Sequence, residues 1–317
     1  MRFSFDKIQK KGVELVQLKD EKSGTTVTVI PSVGAALHEF AVQLNGSRFN
    51  VIDNYNDVAQ AKMEMATSYK SAKLSPFVCR IPNGKYVFEN KEWEITNKFF
   101  DGSAIHGLLF NKPFTITHEI ADKEKAAVAM QYDYVNDDAG YPHRYTCRAE
   151  YKLTENNVLE LDTVITNRTN KTIPIADGWH PYFQLGGNVD DWRLSFDAQS
   201  MVEFDDKLIP TGKLLNYNFF RIPTPVGSNF FDNCFLLNKS NNNAACELFN
   251  PQNNLKLSFF PDNNYPYLQI YTPPHRKSIA IENLSSAPDS FNNRMGLLML
   301  EPGHSKSFTV RYQLSWD

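Results

Sequence analysis

The sequence predicts an all-β protein built from antiparallel strands, and three observations carry that reading. Asparagine-rich stretches, 17 prolines and 15 glycines cut the 317 residues into short segments. Between these breaks, 23 Phe and 14 Tyr favour extended backbone over helix. Turn signals also recur too evenly for strands that alternate with helices.

Taken in order, the first hairpin falls at 36–53 around Asn45-Gly46, the second at 85–96 around Glu89-Asn90, and a third spans 114–134. Tyr145, Cys147, Ala149, Tyr151 and Leu153 alternate with polar residues before Glu155-Asn156-Asn157 turns the chain into 158–167. A further hairpin is expected at 255–272 around Asp262-Asn263-Asn264. The last strand sets Phe308, Val310, Tyr312, Leu314 and Trp316 on one face and Thr309, Arg311, Gln313 and Ser315 on the other, so one face is buried. A single helix of any length is expected within 57–74, where the apolar spacing is imperfect, and Asn238 to Asn243 reads as a loop. With no repeat of fixed period and no Pro/Ser linker, the expectation is one domain over 1–317.

Composition narrows the function classes. With 42% hydrophobic and 22% charged residues the chain can bury a large core. Its 33 basic and 36 acidic residues give −3 with no basic face, which argues against nucleic acid as a partner. No run approaches the ~18 apolar residues of a spanning helix, and the first twelve residues lack a signal-peptide core, so a cytoplasmic protein with no membrane partner is expected. Cys79, Cys147, Cys234 and Cys246 are scattered without C-x-x-C, which fits buried thiols in a reducing compartment. The sequons at Asn45, Asn167, Asn170, Asn238 and Asn283 carry no weight without a signal sequence.

The chemistry-bearing residues are fewer. In Asp177-Gly178-Trp179-His180-Pro181-Tyr182-Phe183 the proline biases His180 toward extended backbone, so its ring is either aimed at a ligand or tethered in the core. His106 precedes Gly107, which lets another group approach its backbone closely. His38 is in register with an apolar alternation and reads as structural; His118, His143, His275 and His304 lie in polar or turn surroundings and read as solvated. Asp232 and Glu282 are acids among apolar residues and need partners if buried, while a turn cap and an edge-strand position are their plainer readings. Arg80 is either a snorkelling side chain or a rigid fork for hydroxyls. Trp179, Tyr182, Phe231, Tyr267 and Tyr271 supply rings that suit a sugar site and equally a β core. No H-E-x-x-H or EF-hand spacing occurs, so no metal is expected, and G-x-S-x-G, Walker A and G-x-G-x-x-G are missing.

Together and in chain order, these segments resemble the aldose 1-epimerase (galactose mutarotase) family. Arg80-Ile81-Pro82-Asn83-Gly84-Lys85 is similar to its early arginine motif, Ile105-His106-Gly107 to its first histidine motif, and His180-Pro181-Tyr182-Phe183-Gln184-Leu185 to its second. Phe231-Asp232-Asn233 matches the aspartate position, Gln269-Ile270-Tyr271-Thr272 a strand near the site, and Ile281-Glu282-Asn283 the glutamate. The opening 29–35 is similar too, so the resemblance spans nearly the whole chain. It implies a large antiparallel β-supersandwich of the galactose mutarotase type with a cleft on one sheet, and an isomerase that needs no cofactor. By this resemblance Glu282 is the general base and His180 the general acid of ring opening and closure. Arg80, His106 and Asp232 hold the sugar, with Trp179, Tyr182 and Tyr271 as its aromatic neighbours. Gly107-Leu108 replaces the family's glycine pair, Gln184 its usual asparagine, and Asn283-Leu284-Ser285 follows the glutamate. These departures spare the acid and base but leave the sugar open, a hexose phosphate included.

Two competing readings use the same residues. A glycoside hydrolase would use Asp232 and Glu282 as carboxyls about 5–9.5 Å apart and leave both histidines idle. A non-catalytic carbohydrate-binding module would need none of the proton-transfer groups. The expected partner in every case is a small-molecule sugar, with the protein a monomer or homodimer.

Overall fold

The computed structural model describes residues 1–10, 12–239 and 243–316, so part of the asparagine-rich stretch lies outside the described residues. The chain is all-β as the sequence predicts. Its first five strands, from Phe3–Lys10 to Ser47–Asn50, form one antiparallel sheet in sequence order. A nine-stranded sheet runs in space Thr115–Ala121, Lys125–Tyr134, Tyr145–Thr154, Val158–Asn167, Ser305–Ser315, Leu255–Pro261, Cys246–Asn250, Arg193–Phe196, Thr224–Pro225. An eight-stranded sheet runs Pro210–Asn216, Ala198–Phe204, Asp232–Leu237, Tyr267–Tyr271, Ile279–Leu284, Gly178–His180, Ala72–Leu74, with Tyr182–Phe183 also paired to Ile279–Leu284.

Alternation decides which faces meet. In the last strand Phe308, Val310, Tyr312 and Leu314 are at most 1% exposed, while Thr309, Arg311 and Gln313 face outward. Phe183 of the eight-stranded sheet packs edge-on against Phe259 and Tyr312 of the nine-stranded sheet, at ring separations of 5.1 and 5.5 Å. These contacts fill the core between the two large sheets and leave the other face of the eight-stranded sheet free for a cavity.

The hairpins at 36–53, 85–96, 114–134 and 145–167 form as expected. Asn45 and Gly46 both take positive φ (51° and 76°), as a two-residue primed turn requires. The expected hairpin at 255–272 does not form. Leu255–Pro261 pairs with Ser305–Ser315 in one sheet and Tyr267–Tyr271 with Ile279–Leu284 in the other. The turn between them is held by Asp262 and Asn264 bonding to the last strand (Asp262 N–H to Thr309 O, 2.8 Å; Asn264 Nδ2 to Ser307 O, 3.0 Å), so it passes the chain from sheet to sheet.

The helix is Val58–Ser68, shorter than 57–74. Asp57 caps it by accepting from the Gln60 N–H, and Tyr69 ends it in the left-handed conformation. Ala72–Leu74 is then free to pair with Gly178–His180. Among the described residues no helix is long and apolar enough to cross a membrane.

Candidate active site

Strand register assembles the site. Residues opposite each other in an antiparallel ladder share a face, as do residues two apart along a strand. Glu282 pairs with Gln269, and Gln269 with Cys234. One step along the same face, Asp232 pairs with Tyr271, Tyr271 with Ala280, and Ala280 with Tyr182. Five polar or aromatic side chains, Glu282, Gln269, Asp232, Tyr271 and Tyr182, therefore rise from four neighbouring strands on one side. His180 joins them two residues before Tyr182, its ring stacked on the phenol at 4.9 Å and 12°.

The opposite wall comes from a two-stranded pairing, Arg80–Ile81 with Ala104–Ile105. The His106 N–H donates to the Cys79 carbonyl (2.8 Å), and His106 holds a left-handed φ of 59°. Gly107 follows at φ 78°, where a Cβ would lie 2.4 Å from the Ser75 carbonyl oxygen, so the close backbone approach expected of this glycine is present. The result is that His106 meets His180 edge to face at 4.7 Å. Arg80 is ion-paired with Asp101.

The five strand side chains, His180, His106 and Arg80 line one cavity of about 490 Å³ that also takes in Cys79, Tyr69, Lys70, Phe99 and His275. At its floor His180 Nε2 is 3.3 Å from Glu282 Oε1, with side-chain exposures of 5% and 2%. Burial pushes Glu282 well above the ordinary carboxylate range, and Asp232 nearby adds to the rise. Burial lowers His180 to about 4 and holds His106 well below the usual imidazole value, where His180 and Arg80 add to the effect. Asp232 is raised by burial, against the opposing pull of Arg80 and a 2.9 Å hydrogen bond from Gln269. Burial thus disfavours the charged form of both members of the Glu282–His180 pair.

Of the sequence-predicted residues, Glu282, His180, Arg80, His106, Asp232, Tyr182 and Tyr271 converge on the cavity. Trp179 does not, and the expectation that it binds substrate is corrected. Adjacent to His180 in a strand, it points to the opposite face and into the core between the sheets. There its Nε1 donates to Thr163 Oγ1 (3.0 Å), its ring meets Tyr151 edge-on, and the Lys73 ammonium lies 4.6 Å above it. Lys73 is fully buried and paired with Asp177 at 2.6 Å. His143 is also corrected: it is 8% exposed and packs against Phe88, Trp93 and Tyr141 instead of being solvated. Sequence reasoning missed Gln269 and Cys79 as cavity residues. Gln269 was visible only as part of a strand motif, and Cys79 only as the neighbour of Arg80. The atoms placed to hold a cation are Cys79 Sγ, one His106 ring nitrogen and one Glu282 oxygen, all within 4.8 Å of one another.

Residues 14–313 match the family model described as Aldose 1-epimerase. Among curated relatives, YihR of Escherichia coli, described as uncharacterized, is 25% identical over 248 residues, covering 76% of this chain and 77% of that protein. The maltose epimerase of Levilactobacillus brevis is 24% identical over 265 residues, covering 77% and 75%. Among solved structures, a galactose mutarotase-like protein from Clostridium acetobutylicum superposes with a TM-score of 0.87 at 18% identity, covering 99% and 98%. The galactose 1-epimerase of Lactobacillus acidophilus gives 0.81 at 22%, covering 100% and 99%. At these identities the superpositions establish the galactose mutarotase-type fold.

Proposed function

The chain belongs to the aldose 1-epimerase family, an isomerase family, and from that premise we propose that it interconverts the α and β anomers of an uncharged aldose. One observation carries the reading: a buried acid and base 3.3 Å apart at the floor of a cavity walled by hydrogen-bonding groups and rings. The anomeric hydroxyl oxygen and the ring oxygen are bonded to the same carbon, so the two groups that serve them must belong to one small site, as these do.

In the proposed reaction the Glu282 carboxylate takes the anomeric hydroxyl proton. The anomeric C–O bond to the ring oxygen breaks as the carbonyl forms, and His180 gives its proton to that oxygen. Rotation about the bond to the neighbouring carbon presents the other face of the aldehyde, and the reversed proton transfers close the ring. Each transfer is worth ~10²–10⁴-fold. Because burial favours the neutral pair, the reactive form arises by moving one proton from Glu282 to His180 across their contact, with sugar hydroxyls supplying hydrogen bonds to the buried Glu282 Oε2. His106, Asp232 and Arg80 hold the remaining hydroxyls, and Tyr182 and Tyr271 offer apolar ring faces to the sugar.

An uncharged substrate is favoured over a hexose phosphate because the cations of the cavity wall already face carboxylates. Lys70 Nζ is 2.8 Å from Asp53, and Arg80 is paired with Asp101. The reading extends to one domain over 1–317, cytoplasmic, a monomer or homodimer, working without a cofactor. Polarimetry of freshly dissolved α-aldoses and their 6-phosphates tests it: accelerated loss of rotation is expected for a free aldose, and acceleration confined to the phosphates would overturn the substrate assignment.

A further inference from the structure

We propose that Cys79, His106 and Glu282 form a binding site for a zinc-class divalent cation, and that a cation held there blocks the sugar site. The blocking half rests on the mutarotase reading, whereas the binding half stands without it. Three ligand atoms of three types lie within 4.8 Å of one another, and zinc bonds of roughly 2.0–2.3 Å to sulfur, nitrogen and oxygen need only small side-chain rotations to close on one ion.

A second observation points to a ligand at the same place. His106 Nδ1 and Glu282 Oε2 are buried without any hydrogen-bond partner, on residues only 8% and 1% exposed. Native interiors rarely leave such lone pairs unused. The backbone bond from His106 N–H to the Cys79 carbonyl fixes two of the three ligand residues relative to each other before any ion arrives.

The ligand chemistry selects the ion. A thiolate with imidazole and one carboxylate is soft and borderline, which favours zinc over magnesium or calcium. Three protein ligands leave a fourth position for water. Binding is ligand exchange without redox change: the cation sheds water, the Cys79 thiol gives its proton to solvent, and Glu282 gives up its own when it carries one. The glutamate oxygen committed to the ion can no longer accept the anomeric proton.

The test uses the whole, chelator-stripped protein with zinc for inhibition and cobalt as a spectroscopic probe. Zinc is expected to slow anomer exchange at least tenfold at saturation, competitively with sugar and reversibly with a chelator. Cobalt is expected to give a thiolate charge-transfer band that Cys79→Ser abolishes and Cys234→Ser retains. Cys79→Ser should raise the half-inhibiting zinc concentration at least tenfold, measured against its own zinc-free rate. An unchanged zinc response in Cys79→Ser, or a cobalt complex without the thiolate band, overturns the site, and so does activation by zinc. If Cys79→Ser does not fold, the wild-type band, its persistence in Cys234→Ser and its loss in His106→Asn decide. A protein that binds cobalt through Cys79 but exchanges no anomers would sink the mutarotase reading and keep the site.

Discussion

His180 Nε2 stands 3.3 Å from Glu282 Oε1, and neither side chain has appreciable contact with solvent. Two titratable groups this close behave as one pair whose proton count, rather than either group alone, sets reactivity. With Glu282 raised and His180 lowered to about 4, the pair carries one proton over a wide pH range.

Glu282→Gln keeps the shape and removes the base, so turnover should fall ~10²–10⁴-fold with sugar affinity largely retained. Stability should move the other way. Below the ordinary carboxylate value of 4.5 both folded and unfolded states hold the proton, and the contribution of Glu282 is fully present. It is lost as pH rises through the raised folded value, because unfolding then releases a proton. The variant should therefore be more stable than the wild type at pH 8, by about 0.5–2 kcal/mol, and comparable at pH 4. Urea unfolding at both pH values checks this, and a wild-type rate of exchange in the variant would remove Glu282 from the mechanism.

His180→Asn should lower kcat more than it raises KM, since protonation of the ring oxygen is needed only as the ring opens. Steady-state kinetics separates the two. A loss confined to KM would make His180 a binding residue.

The pH–rate profile should be bell-shaped, with limbs placed by burial. The acid limb falls near pH 4, where His180 takes a second proton onto the pair. The alkaline limb lies above the ordinary carboxylate range, where Glu282 gives up the shared proton. Glu282→Gln should erase the acid limb in whatever activity remains, leaving only the fall in rate as His180 loses its proton. An acid limb that survives this substitution would contradict the pair model.

Trp179→Phe should destabilise the fold by about 1–3 kcal/mol, through lost packing and the lost hydrogen bond from Nε1 to Thr163, with KM unchanged. Thermal unfolding and kinetics on the same preparation test it. A rise in KM without a fall in Tm would return Trp179 to the sugar site.

Local alternation made most strands legible: the register of 145–167 and the buried face of 305–315 follow from period two. The pairing partner of a strand was not legible, because Asp262-Asn263-Asn264 states that the chain turns and not which sheet it enters. Motif proximity placed Trp179 beside His180 in function, whereas the same period-two rule puts neighbouring residues on opposite faces. Gln269 enters the site through register across separate strands and Cys79 through the bend before Arg80, and nothing local marks either. His143 looked solvated because its neighbours in sequence are polar, but the rings that bury it come from 86–93 and Tyr141.

The central claim is that the buried pair exchanges anomers directly, and magnetisation-exchange NMR between the α and β anomeric protons of an aldose at equilibrium tests it. The account predicts exchange that grows with wild-type protein concentration, persists after exhaustive chelation and disappears in Glu282→Gln. Saturable sugar binding with exchange no faster than in buffer would contradict it and leave a carbohydrate-binding protein in its place.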